Sequence, residues 1–184
     1  MKIYSLPVQA EFQPSKQNYR SPTHGRDWGV IQDFHQWLQT SEHLVSSQHE
    51  ADWDYLPIFW NRLFINWNWG KDGIDKIQQE ISRLVSRDRP TFTICQYDIN
   101  YMQPFFDLCD MVMFIASRQD KKNCIDIPLL CSEHKYESRP PKKYLASFVG
   151  NVEIDGHRVQ MNNRFVDRRD IYIEQANHGP KYFV

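Results

Sequence analysis

The sequence predicts an α/β fold, a Rossmann-like parallel sheet with flanking helices. Three observations carry that expectation. Short apolar or aromatic runs alternate with helical periodicities along the chain. The run 111–116 (MVMFIA) is apolar without a break, as in a central parallel strand covered on both faces. The segment 73–87 places Ile74, Ile77, Ile81, Leu84 and Val85 on one helical face. Strands alternating with helices imply a parallel sheet with right-handed crossovers.

The elements follow in order. Residues 3–8 read as a short strand, and 11–26, with Pro14, Pro22 and Gly25, as a loop. Asp27 can cap a helix in which Ile31, Phe34, Trp37 and Leu38 share a face. Residues 40–50 are a polar connection with room for one short helical turn. The run 54–60 (DYLPIFW) is strand-like, and its internal Pro57 argues for a sheet edge or a bulge. Residues 61–70 (NRLFINWNWG) read as an aromatic loop. The helix 73–87 is stopped by Pro90. A strand over 91–97, a polar turn over 98–100 and a short helix over 102–109 lead to the central strand at 111–116. A further strand is expected over 125–130. The polar stretch 132–141, with Arg139, Pro140 and Pro141, reads as a linker. Residues 144–149 form a strand ending in Gly150 and Asn151, 158–165 a weak helix, and 170–174 a last strand. The expected organisation is one domain over 1–138 and, over 139–184, either the start of a second domain or a final βαβ packed on the first.

Composition narrows the function. The 184 residues hold 41% hydrophobic and 24% charged side chains, enough for a core and a solvated surface. Net charge is −1, with no basic stripe to displace counterions from phosphates, so nucleic acid is not an expected partner. Cys95, Cys109, Cys124 and Cys131 form no C-x-x-C pair, which argues against a zinc site and for a reducing compartment. No run reaches the ~18–20 apolar residues of a membrane span. A soluble, cytoplasmic protein is expected.

In a parallel α/β sheet, ligands bind at the carboxyl ends of the strands. The loops there carry Trp60 and Arg62, Asp98 and Asn100, Arg118, Glu133 and His134, and Asn151 and Arg158. These groups can hold hydroxyls or phosphates, or they are solvated loop residues. Aromatics make up 14% of the chain. Trp60, Trp67 and Trp69 surround Asn61, Arg62, Asn66 and Asn68, a pattern suited to a sugar platform and equally to tryptophans folded back as core. Asp52 and Asp54 form a D-x-D, which in metal-dependent transferases holds a cation. Here it precedes an apolar strand, where such a motif normally follows one.

Four segments in order resemble the exostosin-like glycosyltransferases: 29–34 (GVIQDF), 51–60 (ADWDYLPIFW), 92–98 (FTICQYD) and 144–151 (YLASFVGN), with Arg158 downstream. The resemblance implies a GT-B architecture, two Rossmann-like domains holding acceptor sugar and nucleotide-sugar respectively. It implies an inverting transfer with no required cofactor or metal, the nucleotide-sugar being a co-substrate and a glycan the acceptor. The present chain then corresponds to the acceptor domain and one βαβ of the donor domain. The remainder of the donor domain, or another subunit, is the implied partner. Inverting transfer needs a base to take the proton of the acceptor hydroxyl. Asp98, just past a strand, is the first candidate. His134 is the second, since an unperturbed histidine titrates near neutrality, at about 6.5. Trp60, Arg62, Trp67, Asn100 and Arg118 would bind the acceptor. Gly150 and Asn151, at a strand-to-helix turn, would with Arg158 receive the diphosphate. Asp52 and Asp54 remain a weak alternative metal site.

Overall fold

The computed structural model describes residues 1–14, 29–68, 71–96, 111–115, 123–127, 141–153 and 156–175. The chain divides into two compact units, Met1–Ser132 and Glu133–Val184.

The first unit is built on a six-stranded sheet in the order β2-β1-β3-β4-β5-β6. Its strands are β1 (Ile3–Ser5), β2 (Leu44–Val45), β3 (Trp53–Tyr55), β4 (Thr91–Cys95), β5 (Met111–Ile115) and β6 (Cys124–Asp126). Every neighbouring pair is parallel. The order reverses direction between β1 and β3, because the chain leaves β1 toward β2 and leaves β3 toward β4. That reversal is the signature of a doubly wound sheet, with a crevice where the two halves part.

Helices lie on both faces. On one side, α1 (Val30–Gln39) buries Ile31 and Leu38 against Ile3, Tyr55, Phe92 and Ile94. On the other, α2 (Trp60–Asn66) and α3 (Ile74–Leu84) cover Leu56, Cys95, Met111, Met113 and Ile115. Period-two alternation sorts the strands between these cores. Met111, Met113 and Ile115 of β5 join the α2–α3 side, while Val112 and Phe114 join the α1 side.

The expected strand over 111–116 and helix over 73–87 are observed within a few residues. In α3, Ile77 and Ile81 are buried, with Ile74 and Leu84 packed beside them. Three expectations change. Residues 40–50 hold β2 as well as a 3-10 turn at Gln48–Glu50. The strand expected over 54–60 is neither an edge nor bulged. It is interior, paired with β1 and β4, and it ends at Tyr55. Pro57 falls just beyond the ladder, so its missing N–H leaves no strand partner unmatched. Much of the expected aromatic loop is helical, because α2 starts at Trp60. The expected cap Asp27 and the helix over 102–109 lie outside the described residues. So does most of the linker. The helix α1 is preceded by Gly29 at φ 83°, and Gln96 Oε1, just past β4, accepts from Val30 N at 2.9 Å.

The second unit is a βαβ. Strand β7 (Ala146–Gly150) pairs in parallel with β8 (Ile171–Gln175), and α4 (Gly156–Phe165) connects them. Among the described residues, no helix is long and apolar enough to cross a membrane.

Candidate functional site

Trp60 is a core residue. It is 1% exposed, and its Nε1 donates to Thr93 Oγ1 at 3.0 Å, which in turn donates to Leu56 O at 2.8 Å. This chain ties the start of α2 to β4, and it leaves the indole no face for a sugar. Arg62 is likewise 1% exposed. Its guanidinium donates to the carbonyls of Glu11 and Gln13 and lies over the Phe59 ring at 5.4 Å. It therefore holds the segment that follows β1 instead of reaching outward. Both acceptor assignments are corrected on the same ground: the sequence showed polar tips on an aromatic stretch, and the fold turned those tips inward.

Trp67 is half-buried at the end of α2 and meets Phe12 edge-on at 5.9 Å. Its six-membered ring lies against Gly73, where an added Cβ would sit 2.3 Å from Trp67 Cδ2. Packing accounts for much of its surface. Asp98, Asn100, Arg118 and His134 lie outside the described residues.

The D-x-D pair is taken up by structure. Asp52 Oδ2 accepts from the Lys2 backbone N at 2.7 Å on the surface. Asp54 is 1% exposed and accepts from Arg89 Nε at 3.0 Å and from Gln48 Nε2 at 2.6 Å. Arg89 Nη2 also reaches Gln48 O and Ala51 O. One carboxylate is in solvent and the other is sealed beneath a guanidinium, so the two do not present a joint metal site. Among the described residues, no group of three or more His, Cys, Asp or Glu side chains could hold a metal ion.

The residues expected at the diphosphate lie together in the second unit. Gly150 is buried at the end of β7 and pairs with Gln175. Asn151 Oδ1 accepts from Glu153 N at 2.9 Å and from Gln175 Nε2 at 3.3 Å. Gln175 Oε1 accepts from Val152 N at 2.7 Å. Arg158, in the first turn of α4, donates to Asn151 O at 3.3 Å and sits over the Phe148 ring at 5.9 Å. The turn after β7 is thus fixed by β8 on one side and by α4 on the other. A guanidinium and the backbone of a strand-to-helix turn lie side by side, a combination that can receive an anion.

Two further features were not legible as sites. An apolar groove of about 490 Å³ opens on the α1 side of the sheet between Trp37, Trp53, Phe92, Phe114 and Ile127. Among the described residues, only apolar and aromatic side chains line it. At the switch point, the Gln9 backbone N donates to Glu80 Oε1 at 2.7 Å, and Arg83 binds both Glu80 and Pro7 O. Burial pushes the Glu80 carboxyl up, but the hydrogen bonds from Arg83 and Gln9 outweigh it and hold the group below the usual carboxylate range.

The fold and these sites define a doubly wound, parallel α/β protein followed by a separate βαβ unit. Compared with known proteins, the chain matches no family model, no curated protein and no solved structure.

Proposed function

We propose that this chain is the acceptor side of an inverting, metal-independent GT-B glycosyltransferase, with the second unit beginning its donor-binding domain. One observation carries the reading. A doubly wound parallel unit is followed by a second parallel βαβ whose first strand ends at Gly150, with Asn151 next and, further on, a helix bearing Arg158. The order of the exostosin-like segments agrees with that arrangement.

In this reading the acceptor hydroxyl gives its proton to Asp98, with His134 as the alternative base. The freed oxygen attacks the anomeric carbon of a nucleotide-sugar from the face opposite the leaving group. The carbon–oxygen bond to the nucleoside diphosphate breaks. The backbone around Gly150 and Asn151, with Arg158, takes up the charge on the departing diphosphate. The nucleotide-sugar is a co-substrate, the glycan is the acceptor, and the rest of the donor domain or another subunit completes the enzyme. A cytoplasmic setting accompanies this reading.

The test is a thermal-shift and hydrolysis screen of the chain against a panel of nucleotide-sugars, with Arg158→Ala alongside. The proposal expects at least one nucleotide-sugar to raise the unfolding temperature of the wild type and to lose most of that effect in the variant. A shift with oligosaccharides and none with any nucleotide-sugar would replace it with a non-catalytic carbohydrate-binding domain. Strict manganese dependence would sink the metal-independent mechanism. In a chain carrying the complete donor domain, Asp98→Asn is expected to abolish transfer and to leave nucleotide binding intact. Near-normal turnover would remove Asp98 as the base.

A further inference from the structure

Two side-chain amides hold the turn after β7, and both act on backbone donors. Gln175 Oε1 accepts from Val152 N at 2.7 Å, and Asn151 Oδ1 accepts from Glu153 N at 2.9 Å. Gln175 Nε2 donates in turn to Asn151 Oδ1 at 3.3 Å, which links the two amides. Arg158 stands beside them, donating to Asn151 O at 3.3 Å. Successive backbone N–H groups in a turn, with a guanidinium close by, are donors suited to phosphoryl oxygens. In this turn those donors already have acceptors, and the acceptors are neutral amide oxygens.

The acceptor at Val152 comes from the neighbouring strand. Gln175 is the last residue of β8 and pairs with Gly150, the last residue of β7. The strands are parallel, so both residues stand at the carboxyl end of the unit, where parallel sheets take their ligands. Gln175 is exposed, so leaving the turn returns rotamer freedom to its side chain. Its oxygen carries no net charge, whereas a diphosphate oxygen does. Charge-assisted hydrogen bonds are about twice as strong as neutral ones, so a diphosphate can replace Gln175 at Val152 N. With no anion present, the amide keeps this part-buried N–H from losing its partner.

We infer that Gln175 is a built-in stand-in for the anion, its Oε1 occupying the Val152 N–H until a diphosphate displaces it. The contact is autoinhibitory: it raises the concentration of nucleotide-sugar needed to fill the turn. The inference rests on the reading of the Asn151 turn and Arg158 as the diphosphate site.

The experiment titrates the full chain with inorganic pyrophosphate and follows backbone and side-chain amides by NMR. In the wild type, the Val152 N–H and Gln175 NH2 resonances are expected to shift together and to saturate. Gln175→Ala and Gln175→Met both remove the stand-in oxygen, the second while keeping the side chain's length. Each is expected to bind pyrophosphate about fivefold more tightly, the scale of one net hydrogen bond. Gln175→Glu places a charged acceptor at the same N–H and is expected to weaken binding. A glutamine that merely shapes the turn gives the opposite sign, weaker binding in the Ala and Met variants. Equal or weaker binding by both variants overturns the inference and leaves the diphosphate reading standing. Saturable binding to the wild type with the Val152 and Gln175 resonances unmoved does the same. No binding by the wild type or any variant overturns both.

Discussion

Replacing Arg89 by Met should destabilise the first unit far more than an ordinary surface change. The Asp54 carboxylate is 1% exposed and has three side-chain contacts, two from Arg89 at 3.0 and 3.3 Å and one from Gln48 at 2.6 Å. Arg89→Met removes the counter-ion and two of the three contacts. It also takes the donor from Gln48 O and Ala51 O, at 2.8 and 3.1 Å. Breaking a buried pair from one side costs about 3–5 kcal/mol, because the remaining charge is stranded. Arg89 itself is 28% exposed, so water can enter part of the vacated space, and the low end of the range, about 3 kcal/mol, is expected. With a urea m-value of about 2 kcal/mol/M, the midpoint falls by about 1.5 M. All six tryptophans lie between residues 28 and 69, so tryptophan fluorescence follows the first unit alone. The double change Asp54→Leu with Arg89→Met removes both charges and should recover part of the loss. If Arg89→Met unfolds within about 0.5 kcal/mol of the wild type, the size of a neutral surface substitution, Asp54 is not dependent on Arg89 and the account of the D-x-D fails.

Gly73→Ala is expected to destabilise by more than the usual glycine-to-alanine effect, since φ is 74° and the new methyl would meet the Trp67 ring; urea unfolding measures it. Trp60→Phe keeps most of the apolar volume but loses the hydrogen bond to Thr93, which should cost about 1 kcal/mol in the same assay. Glu80 has a folded-state pKa below its ordinary value, so its stabilising effect is present at neutral pH and is lost as pH falls through and below about 4.3, the unfolded value. The gap in urea midpoint between wild type and Glu80→Gln should accordingly shrink on acidification, and a pH-independent gap would refute the ion-pair account. Burial lowers the pKa of His35, so protonation favours the unfolded chain and stability should begin to fall below about pH 6.5, a loss that His35→Gln removes.

The periodic elements were legible because their patterns are local. Helix α3 follows from isoleucines at 74, 77 and 81, and β5 from five consecutive apolar residues. Strand β2 was not, since two residues, Leu44 and Val45, carry no period, and only pairing with β1 makes them a strand. Pro57 misled because a proline marks where ladder hydrogen bonding is impossible, without saying whether the strand lies at an edge or simply ends there. Trp60 and Arg62 misled for a related reason. A sequence shows that a side chain has a polar tip, whereas Thr93 and the Glu11 and Gln13 carbonyls, which meet those tips, come from distant strands and loops. The same long-range pairing separates Asp52 from Asp54: two positions apart in sequence, one faces solvent and the other Arg89.

The charged residues of the first unit's core share one task, fastening connections to the elements that pack beside them. Arg89 and Asp54 fasten the 48–51 turn to β3. Glu80 and Arg83 fasten the Pro7–Gln9 segment after β1 to α3. Arg62 fastens the next stretch of that segment to α2. Glu80 and Arg62 are matched to backbone groups of the segment after β1, whereas Asp54 is matched to the side chains of Arg89 and Gln48 beside the turn that precedes β3. Glu80, Arg83 and Arg62 thus make the segment after β1 rigid, and a charge already matched has little left to offer a ligand.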